Sequence, residues 1–148
     1  MTLISRILVP TDFSDCAARA LEYALSLATK VGASVVLVHV FTPPIVYMPE
    51  GIWAMPAGER NLHDKLEEAL QKLAAQCRET SSRPVEAVIA EGEAAKQIVS
   101  TAEAQRCDLI VMGTHGRSGL SHILIGSVAE TVVQHSRCPV LTLRLPKA

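Results

Sequence analysis

The sequence has no long apolar run. None of its apolar stretches approaches the roughly 18 consecutive residues that a helix needs to span a bilayer. The opening residues, MTLISRILVP, lack the apolar segment and the small-residue cleavage site of a secretory signal peptide. These two absences predict a cytoplasmic protein without a membrane partner.

An excess of positive charge is also missing. The 14 Lys and Arg residues are balanced by 15 Asp and Glu residues, so the formal net charge is -1 and the isoelectric point is about 6.5. Domains that bind nucleic acid usually carry a strongly basic face. We therefore expect no nucleic-acid partner.

Disulfide and metal-binding patterns are absent as well. The four cysteines form no CxxC pair, and the five histidines form no HExxH motif or other closely spaced ligand set. A zinc site is therefore not expected, and we interpret the cysteines as reduced thiols that are buried as small hydrophobic side chains. They are Cys16, Cys77, Cys107 and Cys138.

What the sequence does contain is a regular alternation of predicted strands and helices within one domain. With 148 residues and 49% hydrophobic content, the chain can bury one substantial core. Apolar runs rich in β-branched residues predict strands, and apolar residues at helical spacing predict helices. The predicted strands cover 4–9, 33–40, 85–90, 109–112 and 140–144, and the predicted helices cover 14–31, 62–77, 95–102 and 127–136.

Residues 42–60 interrupt this alternation. The segment holds four of the eight prolines, the only tryptophan and Tyr47. Proline disfavours regular structure, so we expect an irregular loop. Its apolar residues favour packing against the domain, as a lid over a pocket, or a surface for a partner, and the sequence does not choose between these alternatives.

The alternation of five strands with four helices predicts a doubly wound parallel sheet with helices on both faces. Ligands of such sheets bind beyond the carboxyl ends of the strands, where the winding reverses direction. If the first and fourth predicted strands are neighbours at that point, the loops that follow them share one crevice. Two distant stretches of the sequence would then form one site.

The loop after the fourth predicted strand is rich in glycine. Gly113, Gly116 and Gly119 follow within seven residues, and Gly126 and Ser127 then open the last helix. Glycine permits positive φ and a close approach to the backbone, while the first amides of a helix lack partners and attract anions. This pattern favours a phosphate-binding loop. The alternative is that the glycines only make turns and that Ser127 is only an N-cap.

These residues resemble a known signature. The spacing Gly113-x2-Gly116-x9-Gly126-Ser127 is similar at every fixed position to the ATP-binding signature G-x2-G-x9-G-[ST] of the universal stress protein family. The segments RILVPTDFSD, VLVHV and SRCPVLTLR also resemble that family. The resemblance implies one universal stress protein domain over residues 1–148, with a Rossmann-like sheet of order 3-2-1-4-5 like that of the adenine-nucleotide alpha-hydrolases.

The resemblance also implies a set of ATP-binding residues. Asp12 is expected beside the ribose and the phosphates, with Mg²⁺ as a cofactor, and the backbone of Val40 is expected to read adenine. Against this stand the alternatives that Asp12 merely complements a helix dipole and that Val40 and Met112 are ordinary core residues. The full expected set is Pro10, Thr11, Asp12, Val40, Met112, Gly113, His115, Gly116, Arg117, Gly119, Gly126, Ser127 and Val128.

The function that the resemblance implies is that of a regulatory module which binds ATP in the stress response. Two alternatives stay open. One is an interaction module that needs no nucleotide and uses the segment 42–60 or a dimer face. The other is a weak ATP hydrolase or nucleotidyl-transfer enzyme, although the sequence has no GxxxxGK[ST] loop, no SGGxDS or HIGH motif and no GxSxG motif.

The last predicted strand indicates a homodimer. It would leave an open apolar edge in a monomer, and such edges are normally covered or paired. Relatives pair this strand with its twofold mate, so the resemblance implies an isologous dimer. The pairing residues would be Val140, Leu141, Thr142 and Leu143.

Overall fold

The computed structural model describes residues 3–43, 47–49, 51–52, 57–115 and 125–145. None of the helices in these ranges is long and apolar enough to cross a membrane. The described elements, in chain order, are β1 (Arg6–Pro10), α1 (Asp15–Val31), β2 (Ser34–Phe41), β3 (Tyr47–Met48), β4 (Gly51–Ile52), α2 (Ala57–Ser81), β5 (Val85–Glu91), α3 (Ala94–Ala104), β6 (Leu109–Gly113), α4 (Ser127–His135) and β7 (Val140–Leu143).

Five parallel strands form the central sheet in the order β5-β2-β1-β6-β7. Numbered among themselves along the chain, these strands have the order 3-2-1-4-5, which confirms the predicted topology. Ile7 of β1 lies opposite Val35 of β2 on one side and opposite Leu109 of β6 on the other. The winding reverses between β1 and β6, so the carboxyl ends of these two strands flank the switch point.

The central strands bury a core on each face of the sheet. Ile7 and Val9 pack in the cluster that includes α1 and α2, whereas Leu8 packs in the cluster that includes α3 and α4. All three side chains are fully buried. Successive residues of a strand point to opposite faces, so a strand covered by helices on both sides must be apolar throughout. The predicted helices on both faces are thereby confirmed.

The ends of α1 follow the local sequence. Ser14 is the N-cap, and its Oγ accepts a hydrogen bond from the amide of Ala17 at 3.2 Å. Gly32 ends the helix in the left-handed conformation with φ of 77°, which glycine adopts without steric cost. Both predictions from the sequence are confirmed.

The segment 42–60 is more regular than we expected. β3 and β4 pair antiparallel, and α2 already begins at Ala57, so the prediction of an irregular loop is wrong in these places. Pro49 lies in the turn between the paired residues, where a missing amide costs nothing to the pairing. Gly51 supplies a φ of 126° at the start of β4. The proposed roles of this segment as a lid or a partner surface stay predictions.

Candidate functional site

A pocket of about 240 Å³ opens at the carboxyl ends of β1, β2 and β6, beside the switch point. Residues of the loops after β1 and β6, of the helices α1 and α3 and of the start of α4 complete its lining. Gly116, Arg117 and Gly119 lie outside the described residues, so their predicted contacts stay predictions. The other ten predicted site residues all line the pocket: Pro10, Thr11, Asp12, Val40, Met112, Gly113, His115, Gly126, Ser127 and Val128.

One wall of the pocket is apolar. Val38 and Val40 line it from β2, Met112 from β6 and Ile98 from α3. Val38 and Val40 share a face because they are two residues apart on one strand. All four belong to or pack against the core between the sheet and the helices α3 and α4. Val40 and Met112 therefore pack in the core and also line the pocket, so a role in core packing does not exclude a role in binding.

The loop after β1 is held by hydrogen bonds between side chains and backbone. Thr11 Oγ1 accepts from the amide of Phe13 at 3.1 Å, and Asp12 Oδ1 accepts from the amide of Ser14 at 3.0 Å. Short polar side chains stabilise turns in this way. The acid in the first turn of α1 is Asp15, whereas Asp12 precedes the N-cap. Asp12 Oδ2 has no hydrogen-bond partner within the described residues.

The head of α4 presents backbone amides to the pocket. Gly126 is the N-cap and makes no side-chain cap, while Ser127 is the first helical residue, so the alternative that Ser127 is the N-cap is wrong. Within the described part of the chain, the amides of Ser127, Val128 and Ala129 have no acceptor, as expected for the first turn of a helix. Ala129 is almost completely buried, so its amide has little access to bulk water.

Thr114 ties the end of β6 to this helix head. Its carbonyl oxygen accepts from the amide of Gly126 at 2.5 Å, and its own amide donates to the carbonyl of Leu143 in β7 at 2.9 Å. A Cβ added at Gly126 would lie 2.7 Å from the Thr114 oxygen. Residue 126 therefore has to be glycine or similarly small, because its backbone lies against the backbone of Thr114.

A second glycine of the signature is also explained by close packing. Gly113 ends β6, and a Cβ there would lie 2.5 Å from Cys16 Sγ of α1. Neither Gly113 nor Gly126 has a positive φ. Of the two properties of glycine that favoured a phosphate-binding loop, positive φ is therefore not used at these two positions, where a Cβ would instead collide with neighbouring protein atoms.

Charged groups are few in the pocket. Among the described lining residues, Asp12 is the only carboxylate, and the ionisable bases are His39 and His115. His115 Nδ1 lies 2.9 Å from Thr114 Oγ1. A single carboxylate does not form a complete metal site, so a cation here would have to share its remaining ligands with a bound anion or water.

Seven lining residues were not predicted from the sequence. Two of them carried a signal, because Val38 shares the strand face of Val40 and Ala129 follows the predicted helix start directly. The others line the pocket through the packing of distant elements, which no local pattern reveals. The seven are Ala17, Val38, His39, Ala94, Ile98, Thr114 and Ala129.

A model of the Universal stress protein family matches residues 4–144 of the chain. Universal stress protein MJ0531 of Methanocaldococcus jannaschii is 38% identical over 147 residues, which cover 98% of this chain and 85% of that protein. The resemblance that the sequence motifs indicated is thereby confirmed at the level of the family.

Solved structures share the fold. The universal stress protein UspA from Lactobacillus plantarum is 25% identical, with a TM-score of 0.78 over 95% of this chain and 98% of that chain. A universal stress protein in complex with cAMP and the one from Archaeoglobus fulgidus in complex with dAMP are 22% and 23% identical, with TM-scores of 0.69 and 0.66. They cover 95% and 96% of this chain, and 97% and 98% of their own. The chain belongs to the universal stress protein family.

Proposed function

We propose that this protein binds ATP in the pocket beside the switch point and acts as a nucleotide-dependent regulatory module. The observation that carries the proposal is the set of amides at the head of α4, which have no acceptor among the described residues and belong to residues that line the pocket together with an apolar wall. Amides at a helix start bind phosphate, and an apolar wall with a few polar groups suits a heterocyclic base. ATP combines these two chemistries in one molecule.

Asp12 is proposed to hold Mg²⁺ together with phosphate oxygens. Its Oδ1 already accepts from Ser14, while Oδ2 has no protein partner in the described residues. Mg²⁺ in nucleotide sites is commonly bound by one or two carboxylates plus phosphates and water, so one free carboxylate oxygen is sufficient.

We also propose a homodimer through β7. The carbonyl oxygen of Pro139 accepts from the amide of Ile110, and that of Leu143 accepts from the amide of Thr114. The odd-numbered residues of β7 therefore direct their backbone groups toward β6. The backbone groups of Val140 and Thr142 therefore point to the open edge of the sheet, because neighbouring residues of a strand alternate. An edge of this kind can pair with a second copy across a twofold axis.

The ATP proposal is tested by two measurements. The purified protein is denatured and the extract analysed for released nucleotide, and nucleotide-free protein is titrated with MgATP in a calorimeter. We expect adenine nucleotide in the extract and saturable binding of MgATP. An extract free of nucleotide, together with no heat at millimolar MgATP, would refute the proposal.

Ser127→Ala provides the matched variant for this titration. Ser127 is exposed and caps no helix, so its hydroxyl can be removed without disturbing the fold. We expect its loss to weaken ATP binding by about fivefold, since a net hydrogen bond contributes about 1 kcal/mol. Ser26→Ala, at an exposed position of α1, is the control and should bind like the unaltered protein.

A further inference from the structure

His39, at the end of β2, holds the loop that follows β1. Its Nδ1 lies 2.8 Å from the carbonyl oxygen of Thr11. A carbonyl oxygen can only accept a hydrogen bond, so Nδ1 carries the hydrogen and the neutral ring is the Nδ1–H tautomer. The side chain of His39 thus acts as a donor to the backbone of a different strand end.

Each polar group of Thr11 is used in fixing this loop. Its amide donates to the carbonyl of Val38 at 2.8 Å, its Oγ1 accepts from the amide of Phe13, and its carbonyl accepts from His39. Thr11 is 7% exposed, so water cannot readily replace a lost partner. Thr11 is therefore hydrogen-bonded to two successive residues of β2: to Val38 through that residue's backbone and to His39 through its side chain.

The bond from His39 also determines where the next amide points. The carbonyl of Thr11 and the amide of Asp12 belong to the same peptide unit, and the described chain contains no cis peptide. In a trans peptide these two groups point in opposite directions. The Asp12 amide is consequently turned away from His39, and it has no acceptor among the described residues.

The ring of His39 makes a second contact with this loop. Its centroid lies 5.0 Å from that of Phe13, with the two planes tilted by 47°. Phe13 has a φ of 63°, a left-handed conformation that a residue with a bulky side chain rarely adopts. Such conformations persist only where the surrounding contacts hold them. The ring packing is one of these contacts.

We infer that His39 is a positioning residue, which directs the Asp12 amide at an acceptor oxygen of the bound nucleotide. The inference rests on the ATP site proposed above and assigns a role to a residue outside the set of site residues expected from the sequence. Its donor nitrogen and its ring make separate contributions, and two substitutions separate them. His39→Asn keeps a donor near the position of Nδ1, whereas His39→Phe keeps a ring against Phe13 and loses the donor.

The first measurement uses nucleotide-free, isotope-labelled protein. A nitrogen–proton correlation of the imidazole should show the Nδ1–H tautomer for His39. The amide signals of Asp12 and Phe13 should shift in His39→Phe and stay close to their original positions in His39→Asn. An Nε2–H tautomer in the unaltered protein, or unchanged amide signals in His39→Phe, would overturn the inference whether or not the protein binds ATP.

The second measurement compares MgATP affinity by calorimetry. We expect His39→Phe to bind about fivefold to tenfold more weakly, the effect of one lost hydrogen bond, and His39→Asn to bind within about twofold of the unaltered protein. Equal affinity of all three proteins would overturn the positioning role. Absence of ATP binding to the unaltered protein would instead refute the proposed function, and the tautomer and amide signals would still decide the role of His39 in the loop.

Discussion

The missing side chain of Gly126 leaves room for the carbonyl of Thr114. Because a Cβ would lie 2.7 Å from that oxygen, Gly126→Ala should force the two backbones apart. Overpacking of this kind costs about 1 to 3 kcal/mol, and each kcal/mol lowers the melting temperature of a domain this size by roughly 2 to 4 °C. Thermal denaturation in the absence of nucleotide measures the effect. Ser127→Ala should melt normally, and an unchanged melting temperature for Gly126→Ala would contradict the explanation.

A second residue-scale prediction concerns pH. Asp108 Oδ2 accepts from Ser5 Oγ and from the amides of Ser5 and Arg6 at 2.6 to 2.8 Å. Burial works against the charged carboxylate, but these hydrogen bonds outweigh it and hold the pKa of Asp108 below its ordinary value. A lowered pKa contributes stability above the unfolded pKa of about 3.9, and this stability is lost as pH falls through the folded pKa.

Asp108→Asn should therefore lower the free energy of unfolding at pH 7 by about 1 kcal/mol, because the hydrogen bonds to residue 108 become weaker. In urea denaturation, the variant should unfold at a lower urea concentration than the unaltered protein. The difference should shrink as the pH falls from about 4 through the lower pKa of the folded carboxyl, below which the group is protonated in both the folded and the unfolded protein. Glu22→Gln, at an exposed position of α1, serves as the control. A difference that stays constant with pH would show that the charge of Asp108 is not responsible.

Many residues of the candidate site could be predicted because they lie at the ends of elements with clear patterns. Pro10 ends an apolar strand, Asp12 lies in the loop that follows it, and Ser127 opens an apolar helix. Contacts between residues that are distant in the sequence could not be predicted in the same way. The contact of Gly113 with Cys16 depends on how α1 lies on the sheet, and this angle is set by packing that involves the whole core.

At the scale of elements, β7 allows a sharp test of the dimer. The amide of Thr142 points to the open edge, so Thr142→Pro removes a donor needed for pairing with a second copy and leaves the bonds to β6 intact. Proline is tolerated in edge strands for this reason. Sedimentation should show a dimer for the unaltered protein and for Thr142→Val, and a monomer for Thr142→Pro. A dimer that survives Thr142→Pro would place the interface elsewhere.

The long elements were predictable and the short ones were not. α1 carries a cap at each end and a continuous apolar stripe, which together define its limits. β3 and β4 contain two residues each, too few to show an alternating pattern. They form where Pro49 and Gly51 permit a turn. The number of prolines in the segment 42–60 favoured the prediction of an irregular loop instead.

At the scale of the whole molecule, ligand binding should raise the stability of the domain. A ligand that binds only the folded chain adds about 2.7 kcal/mol at a hundredfold excess over its dissociation constant. The melting temperature should therefore rise continuously with MgATP concentration. A melting temperature independent of MgATP up to millimolar concentration would count against the proposed site.

Asp12→Asn distinguishes the metal from the nucleotide in the same experiment. Asparagine keeps an oxygen that can accept from Ser14, so the loop retains its bond while the carboxylate charge is lost. The stabilisation by ATP should then become nearly independent of Mg²⁺. Asp15→Asn, in the first turn of α1, is the control and should retain the full effect of Mg²⁺.

The sheet order could be predicted because right-handed crossovers and the alternation of strands and helices leave few arrangements. The same reasoning predicted a ligand site at the reversal of the winding, where the pocket lies. It could not give the shape of the pocket, since α3 and α4 approach β2 and β6 through Ile98 and Ala129 at distances that depend on side-chain packing.

Thr114 has no backbone hydrogen-bonding group to spare, because its carbonyl is committed to Gly126 and its amide to Leu143. Through these two hydrogen bonds, Thr114 connects the start of α4 at the pocket to the edge strand β7. If α4 tilts, either one of the two hydrogen bonds lengthens or β7 moves with the helix. A movement of α4 at the pocket is therefore coupled to the position of the edge strand.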